Sequence, residues 1–465
     1  MSFRFVDLFA GIGGFHAALG ALGGECVYAS EIDENAARVY ERNWNIQPAG
    51  DITISANDQV MEVPDHDVLV GGFPCQPFSK SGKQKGMEEA RGTLFWNIAK
   101  IIEKRSPSLV LLENVRNIAG PRHQHEWEVI IQTLRELGYR VSSAPLVVSP
   151  HRMRPEFGGR PQVRERVLIA ATRLPKKERT FAIEPEQIDM SGVSAGWNPQ
   201  TWALKRDLPL DRQSAKSSRE LGLSEVETRW VDAWNDFVVT MKGVVGELNL
   251  PGFPIWVDEW VHLNDLRIPD GTPTWKQNFL QKNSEFYTAH QKELRAWLKR
   301  WNHLEDFPPS RRKLEWQAQD AKDLWSTVMH FRPSGIRAKK PTYVPAMVAI
   351  TQTSIYGPQR RRLSVRECAR LQGLPEWFDF IDQTDALSYK QLGNAVNVGV
   401  IYNVIRAQVL RDVDLLEKQP ELIRSVLGAP TNPDEVLKDH KSLMMHKTQV
   451  RTAATNGLSA NLRLA

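Results

Sequence analysis

The 465-residue chain has only three cysteines, Cys26, Cys75 and Cys368, and no CxxC pair. That excludes a disulfide framework and a cysteine-rich zinc site. It points to a reducing, cytoplasmic compartment and to no resident metal. No apolar run approaches the roughly 20 residues needed to span a bilayer, and the first residues lack a signal-peptide layout. No internal repeat is present. Charge of one sign is also scarce: the net is +5, at a pI of about 9.0. Between Lys176 and Leu324 there are 21 Lys and Arg against 23 Asp and Glu, a net of −2. The excess positive charge therefore lies at the two ends of the chain. The length predicts two or three domains, and 41% hydrophobic and 25% charged residues fit ordinary globular folding.

The first third reads as alternating strands and helices. Apolar runs at Phe3–Phe9, Cys26–Ala29, Asp67–Gly71 and Leu109–Leu112 predict strands, with helices over Phe15–Leu22 and Glu34–Asn43 between them. That order predicts an α/β fold with a parallel sheet. Ligands in such folds sit at the carboxyl ends of the strands.

From about Lys176 the texture changes. Eleven of the 15 tryptophans fall between Trp197 and Trp325. Trp230/Trp234, Trp256/Trp260 and Trp297/Trp301 are spaced i,i+4, which predicts helix faces. A buried Trp-rich helical core is favoured over base stacking, because such stripes mark packed faces. Around Arg332–Tyr356 the pattern becomes β-like, including Tyr343-Val and Met347–Thr351. Helices are expected at Val365–Leu371, from Gln391 to about Val413, and in a charged stretch before a frayed end.

Asp7-Leu-Phe-Ala-Gly-Ile-Gly-Gly14 is a strand, a glycine-rich turn and a helix start, and Glu31 follows about 20 residues after Gly11. This suits a nucleoside whose ribose hydroxyls bind the acid. The third glycine of a dinucleotide fingerprint would fall at His16, which favours a ligand without a pyrophosphate. Asp51 is an acceptor suited to an adenine amino group. Gly71-Gly-Phe-Pro-Cys75-Gln-Pro-Phe-Ser79 puts a thiol just past a strand, where it is a candidate nucleophile. Cys26 and Cys368 read as packing residues. Lys80–Gly86 is basic and glycine-hinged, as a lid over a phosphate backbone would be.

These blocks closely resemble the bacterial DNA (cytosine-5) methyltransferases. The matching blocks are Asp7–Gly14, Gly72–Ser79, Arg91-Gly-Thr-Leu-Phe, Glu113-Asn-Val, Gln162-Val-Arg-Glu-Arg-Val, Arg362–Pro375 and Gln391-Leu-Gly-Asn-Ala-Val, in the family's order. The resemblance implies a class I S-adenosylmethionine-dependent methyltransferase with a Rossmann-like parallel sheet and a large inserted target-recognition domain. It implies a catalytic and cofactor-binding part at 1–175, the insert at 176–356, completion of the catalytic domain at 357–415, and a tail at 416–465. It implies Cys75, Glu113, Arg164 and Arg166 as catalytic residues. S-adenosylmethionine would be held by Phe9, Gly11, Gly13, Glu31, Ile32, Asp51, Ile52, Pro74, Leu94, Asn394 and Val396. Arg164 and Arg166 alternate, which on a strand puts both on one face.

Double-stranded DNA is the implied partner, bound by a monomer in a restriction–modification or phage-defence setting, with a cognate restriction or defence-system protein alongside. The basic runs predict DNA contacts at Arg311, Arg312, Arg332, Arg337, Lys339 and Lys340, with Ser79, Ser81 and Lys83 in the loop. Residues 311–362 and the loop at 80–86 would then grip DNA, while the helical part at about 225–305 serves as scaffold or partner surface. Two rival readings remain: an RNA (tRNA) cytosine-5 methyltransferase, and a catalytically inactive DNA-binding regulator. The insert of about 185 residues argues against the first. The intact cysteine, acid and arginine pair argue against the second.

Overall fold

A computed structural model describes residues 3–74, 93–175, 184–211, 220–246, 249–347 and 353–439. These fall into two compact units, Met1–Pro199 with Ala346–Ala349 and Cys368–Ala465, and Gln200–Pro345 with Ile350–Glu367.

The first unit is built on a seven-stranded sheet. Its strands are β1 (Arg4–Leu8), β2 (Glu25–Ser30), β3 (Val68–Gly72), β4 (Leu109–Val115), β5 (Tyr139–Arg140), β6 (Leu146–Val148) and β7 (Arg166–Arg173). The order is β2-β1-β3-β4-β7-β5, with β6 also beside β7. β2, β1, β3 and β4 are parallel. β7 runs antiparallel to β4, β5 and β6, so the sheet is mixed rather than wholly parallel.

The runs expected to form strands do so because they are apolar on both faces. Val68–Val70 and Leu109–Leu112 are fully buried, as crossover helices on both sides of a parallel sheet require. Helices α1 (Gly14–Ala21), α2 (Glu34–Trp44), α3 (Leu94–Arg105) and α4 (Gln124–Glu136) alternate with the strands. Asp33 caps α2 by accepting from the Asn35 and Ala36 amides, and Thr93 caps α3. Leu8 pairs with Ser30 and with Gly71, and Gly72 pairs with Glu113. The carboxyl ends of four strands thus lie side by side.

The second unit carries a six-stranded sheet of β8 (Ile255–Trp256), β9 (Lys313–Gln317), β10 (Val328–Arg332), β11 (Gly335–Lys339), β12 (Ile355–Tyr356) and β13 (Arg361–Arg362), in the order β13-β12-β10-β11-β9-β8. Helices α5 (Glu225–Val245), α6 (Thr274–Ala289) and α7 (Gln291–Arg300) precede β9. Side chains from α5 and α7, including Val231, Trp234, Phe237 and Trp297, share a core with Leu314, Trp316, Met329, Phe331, Ile336 and Ala338 of the strands. The expectation of a tryptophan core agrees with Trp234, Trp297 and Trp316, which are all but inaccessible. Two of the three buried indole nitrogens are met: Trp234 donates to the Arg311 carbonyl and Trp297 to that of Ala233, whereas the Trp316 Nε1 has no partner among the described residues. Trp256 and Trp260 differ from expectation. They lie in β8 and just past a short 3-10 turn, not on one helix. Tyr343-Val lies in no named strand, and residues 348–352 lie outside the described residues.

The units divide at Gln200 and Glu367 rather than at 176 and 356. Upstream of Gln200, the Glu184 carboxylate takes the Arg135 guanidinium and Trp197 donates to the His151 carbonyl, so this segment packs with the first unit. Arg361 and Arg362 form the last strand of the second sheet. Beyond 415, the helix Pro420–Gly428 buries Leu422 and Val426, and Ser425 donates to the Leu22 carbonyl. No helix among the described residues is long and apolar enough to cross a membrane.

Candidate active site

A cavity of about 410 Å³ opens at the carboxyl ends of β1, β2 and β3. Nine of the eleven expected cofactor residues line it: Phe9, Gly11, Glu31, Ile32, Asp51, Ile52, Pro74, Leu94 and Asn394. Ser30, Asp33, Lys390 and Gln391 also line it. The last two immediately flank or begin a block already singled out, and Asp33 closes the Glu31-Ile-Asp33 run, so position beside those motifs was the available signal.

The glycine-rich turn shapes the cavity floor. Gly11 has φ +55°, and a side chain there would meet nothing within 4 Å, so its Cα faces open space. Phe9 also has a positive φ, 54°, a costly conformation for an aromatic residue. Glu31 is fixed at both oxygens, accepting from the Gly11 amide and from the Asp33 amide, each at 2.8 Å. Asp51 uses Oδ1 on the amide and hydroxyl of Thr53. Ile32 is 72% exposed on the cavity rim.

Gly13 and Val396 stand behind the cavity rather than in its lining. Gly13 has φ +91°, and a Cβ there would lie 2.0 Å from the Trp44 indole nitrogen. Val396 is buried against Gly14. His16, at the place of the third glycine, stacks on Trp44 with centroids 4.6 Å apart and lies 2.8 Å from the Tyr40 hydroxyl.

At the end of β4, Glu113 is paired with Arg166, Nε to Oε1 2.8 Å. The acid's Oε2 lies 3.2 Å from where a Cβ on Gly72 would be, so glycine leaves it room. Burial raises the Glu113 pKa, opposed by the Arg166 and Arg164 cations. Asn114 donates to the Phe73 carbonyl at 2.9 Å and thereby ties down the turn that leads to Cys75. This positioning residue was within the quoted Glu113-Asn-Val block but unassigned. Cys75, Ser79, Ser81 and Lys83 lie outside the described residues.

Arg164 differs from expectation. β7 begins at Arg166, so the two arginines do not share a strand face. The Arg164 guanidinium is buried and donates to the carbonyls of Met347, Gly393 and Ala395 at 3.1, 3.0 and 2.6 Å. Its buried Nε has no partner among the described residues. Burial first, and the neighbouring Arg166 cation second, lower its pKa to about 9. Arg166 donates to the Glu165 backbone carbonyl, while the Glu165 carboxylate engages Arg116 at 2.5 Å and Arg152 at 3.7 Å.

The basic runs of the second unit divide sharply. Arg311 is buried, stacks on Phe331 and Trp230, and donates to the Arg332 carbonyl. Arg312 donates to the Phe307 and Glu305 carbonyls and pairs with Asp258. Arg360 lies over Trp325, Arg361 forms a buried pair with Glu367, and Arg362 pairs with Glu227. Arg311 and Arg361 are thus taken up inside the second unit, while Arg312, Arg360 and Arg362 stay partly exposed beside a carboxylate or ring of the same unit. Lys340 pairs with Asp320 at 2.6 Å and Arg337 with Glu315 at 2.5 Å. Arg332 and Lys339 have no carboxylate ion-pair partner among the described residues; burial first, then the Arg337 cation, lowers both pKa values.

A glycine-rich turn, a ribose-type acid and a large cavity at parallel strand ends define an S-adenosylmethionine-dependent methyltransferase fold of class I. Residues 3–409 match the C-5 cytosine-specific DNA methylase family, and the chain belongs to it. It is 48% identical to the type II methyltransferase M.AluI of Cellulosimicrobium cellulans, across 92% of this chain and 96% of that one. It is 30% identical to the type II methyltransferase M.BanI of Aneurinibacillus aneurinilyticus, across 92% of this chain and all of that one. Identity to M.HhaI of Haemophilus parahaemolyticus is 46%, over 37% of this chain and 49% of that one.

Proposed function

We propose that this chain methylates C5 of a cytosine in a specific duplex DNA site, with S-adenosylmethionine as methyl donor, in a cytoplasmic restriction–modification or phage-defence setting. The observation that carries this is the half-buried Glu113–Arg166 pair, whose Glu113 lies across from Gly72, a residue three positions before Cys75 in the chain. When bound, S-adenosylmethionine supplies an electrophilic methyl group. The cavity suits it: Glu31 can take the ribose hydroxyls, Asp51 Oδ2 an amino group, and the exposed Ile32 an apolar ring face.

Cytosine C5 is a poor nucleophile until C6 is attacked. Cys75 would form the S–C6 bond, moving the ring electrons toward C5 and N3. Glu113, kept protonated to higher pH by burial, would give a proton to N3. Arg166 orients that acid, and the buried Arg164 Nε is a donor left for the developing charge on the base. After C5 accepts the methyl group, loss of the C5 proton, departure of the Cys75 thiolate and return of the N3 proton to Glu113 would restore the aromatic ring. The base is inaccessible in a duplex and must be flipped out. Ser79, Ser81 and Lys83 are the proposed loop contacts to that strand.

The test is bisulfite sequencing of DNA from a methylation-free host expressing the chain, with trapping on 5-fluorocytosine duplexes. Methylation at one motif and a covalent adduct are expected. Methylation of tRNA alone would favour the RNA reading; motif binding without an adduct would favour an inactive regulator.

A further inference from the structure

The second unit's sheet has one apolar and one polar face. Met329, Phe331, Ile336 and Ala338 enter the core. The alternate residues His330, Arg332, Arg337 and Lys339 are only partly buried. His330 pairs directly across from Arg337, and Arg337 across from Glu315 on β9. Three strands thus set an imidazole, a guanidinium and a carboxylate in one row. Ser354 lies 2.9 Å from His330 Nε2. Glu315 accepts from Arg337 Nε, lies at ion-pair distance from its Nη2, and accepts from the Ser334 hydroxyl at 3.1 Å.

Resting on the DNA-methylating reading above, we propose that Arg337, braced by Glu315, recognises guanine through its O6 and N7 in the major groove. The brace fixes one edge of the guanidinium and leaves the Nη1 end, with a remaining Nη2 hydrogen, directed elsewhere. Two parallel N–H donors at fixed spacing match O6 and N7 of guanine. The same carboxylate makes Arg337 a poor phosphate contact, because it cancels the charge that releases counterions. Among the described residues Arg332 and Lys339 have no such ion pair, and they are the phosphate-gripping cations of this face. His330 stays neutral beside them: burial, then the Arg332, Arg337 and Lys339 cations, lower its pKa to about 3. It adds no charge to the row. Glu315 acts through Arg337 and is a positioning residue.

The test is selection of bound duplexes from a randomised DNA library, with sequencing, followed by salt titration on the selected site. Wild type should select one motif. Arg337→Ala should lose about 10- to 100-fold discrimination at one G·C position, with an unchanged salt slope. Arg337→Lys keeps the charge and an ion pair with Glu315 but not the fork, and should lose the same preference. Glu315→Gln should weaken discrimination at that same position only. A uniform loss over all sequences with a shallower salt slope would make Arg337 a phosphate contact and overturn the proposal. Unchanged motif selection in Arg337→Lys would make the pair purely structural. Bisulfite readout of the wild-type reaction separates the two levels: a selected but unmethylated motif overturns the catalytic reading and leaves base recognition measurable.

Discussion

Glu113 and Arg166 meet at 2.8 Å on the antiparallel neighbours β4 and β7. The pair balances two opposing effects on one acid. Burial favours the neutral carboxyl and the guanidinium favours the anion, and burial prevails. Glu113 therefore holds its proton to higher pH than an ordinary glutamate. Glu113→Gln should lower single-turnover methylation by about 10²- to 10⁴-fold with little change in DNA affinity. If the acid works protonated, the wild-type rate must fall as pH rises through the raised pKa, and the variant must lack that descending limb. Rapid-quench rates across pH check this; a variant altered only in DNA binding would make Glu113 a structural group.

Cys75→Ser should bind DNA and S-adenosylmethionine but form no covalent adduct with 5-fluorocytosine DNA and transfer no methyl groups. A serine oxygen is almost fully protonated at neutral pH, whereas a thiol ionises readily. Wild-type turnover in this variant would assign the nucleophile elsewhere.

Ile32 offers a test of the cavity that leaves the fold alone. It is 72% exposed, so Ile32→Ser removes little that folding has buried. Ligand-side burial of an isoleucine contributes about 1.5–3 kcal/mol at most, so S-adenosylmethionine should bind roughly 10-fold or more weakly. Calorimetry gives the affinity and a melt gives the stability. Equal affinity would remove Ile32 from the cofactor site.

The strand ends were legible because buried parallel strands leave continuous apolar runs, and their next residues are the site. Glu31 and Glu113 follow such runs directly, while Asp51 stands after a turn and caps Ile52–Ser55. Arg164 was not legible in the same way. Its partners are backbone carbonyls of Met347, Gly393 and Ala395, which any residue supplies and no pattern marks. Arg311 and Arg312 read as a DNA grip because a run of cations looks alike whether it faces solvent or stacks on Phe331. Trp256/Trp260 had helical spacing by coincidence, since Pro254 and the pairing of Trp256 with Lys313 hold that segment in β8.

Arg164 and Arg166 should therefore separate in mutants. Arg164→Ala takes the donors from three carbonyls that now receive its N–H groups, so the thermal midpoint should fall, at about 1–3 kcal/mol for each carbonyl left buried and unsatisfied. Arg166→Ala should spare most of that stability and chiefly reduce the methylation rate, by removing the cation beside Glu113. Thermal melts and single-turnover rates on both variants check the division. A stable, inactive Arg164→Ala would show that its guanidinium serves the reacting base more than the chain.

The last prediction concerns phosphate contacts. A cation contributes to DNA affinity in proportion to the counterions it displaces, about 0.9 in the log–log salt slope for each phosphate neutralised. A cation already facing a carboxylate displaces fewer. Arg332 and Lys339 have no carboxylate ion-pair partner among the described residues, and each is pushed toward losing its proton by burial and then by the Arg337 cation. A bound phosphate would relieve that repulsion. On α7, Arg300 pairs with Asp236 and Arg295 donates to the Tyr287 hydroxyl, on a helix whose inner face supports the tryptophan core. Arg332→Ala with Lys339→Ala should weaken duplex binding and flatten the salt slope by about 1 to 2. Replacing Lys292, Arg295, Lys299 and Arg300 together should change the slope little. Fluorescence anisotropy across a salt series measures both sets. If the α7 set lowers the slope more, the helical insert itself lies against DNA, and the open face of β10 and β11 does not grip it.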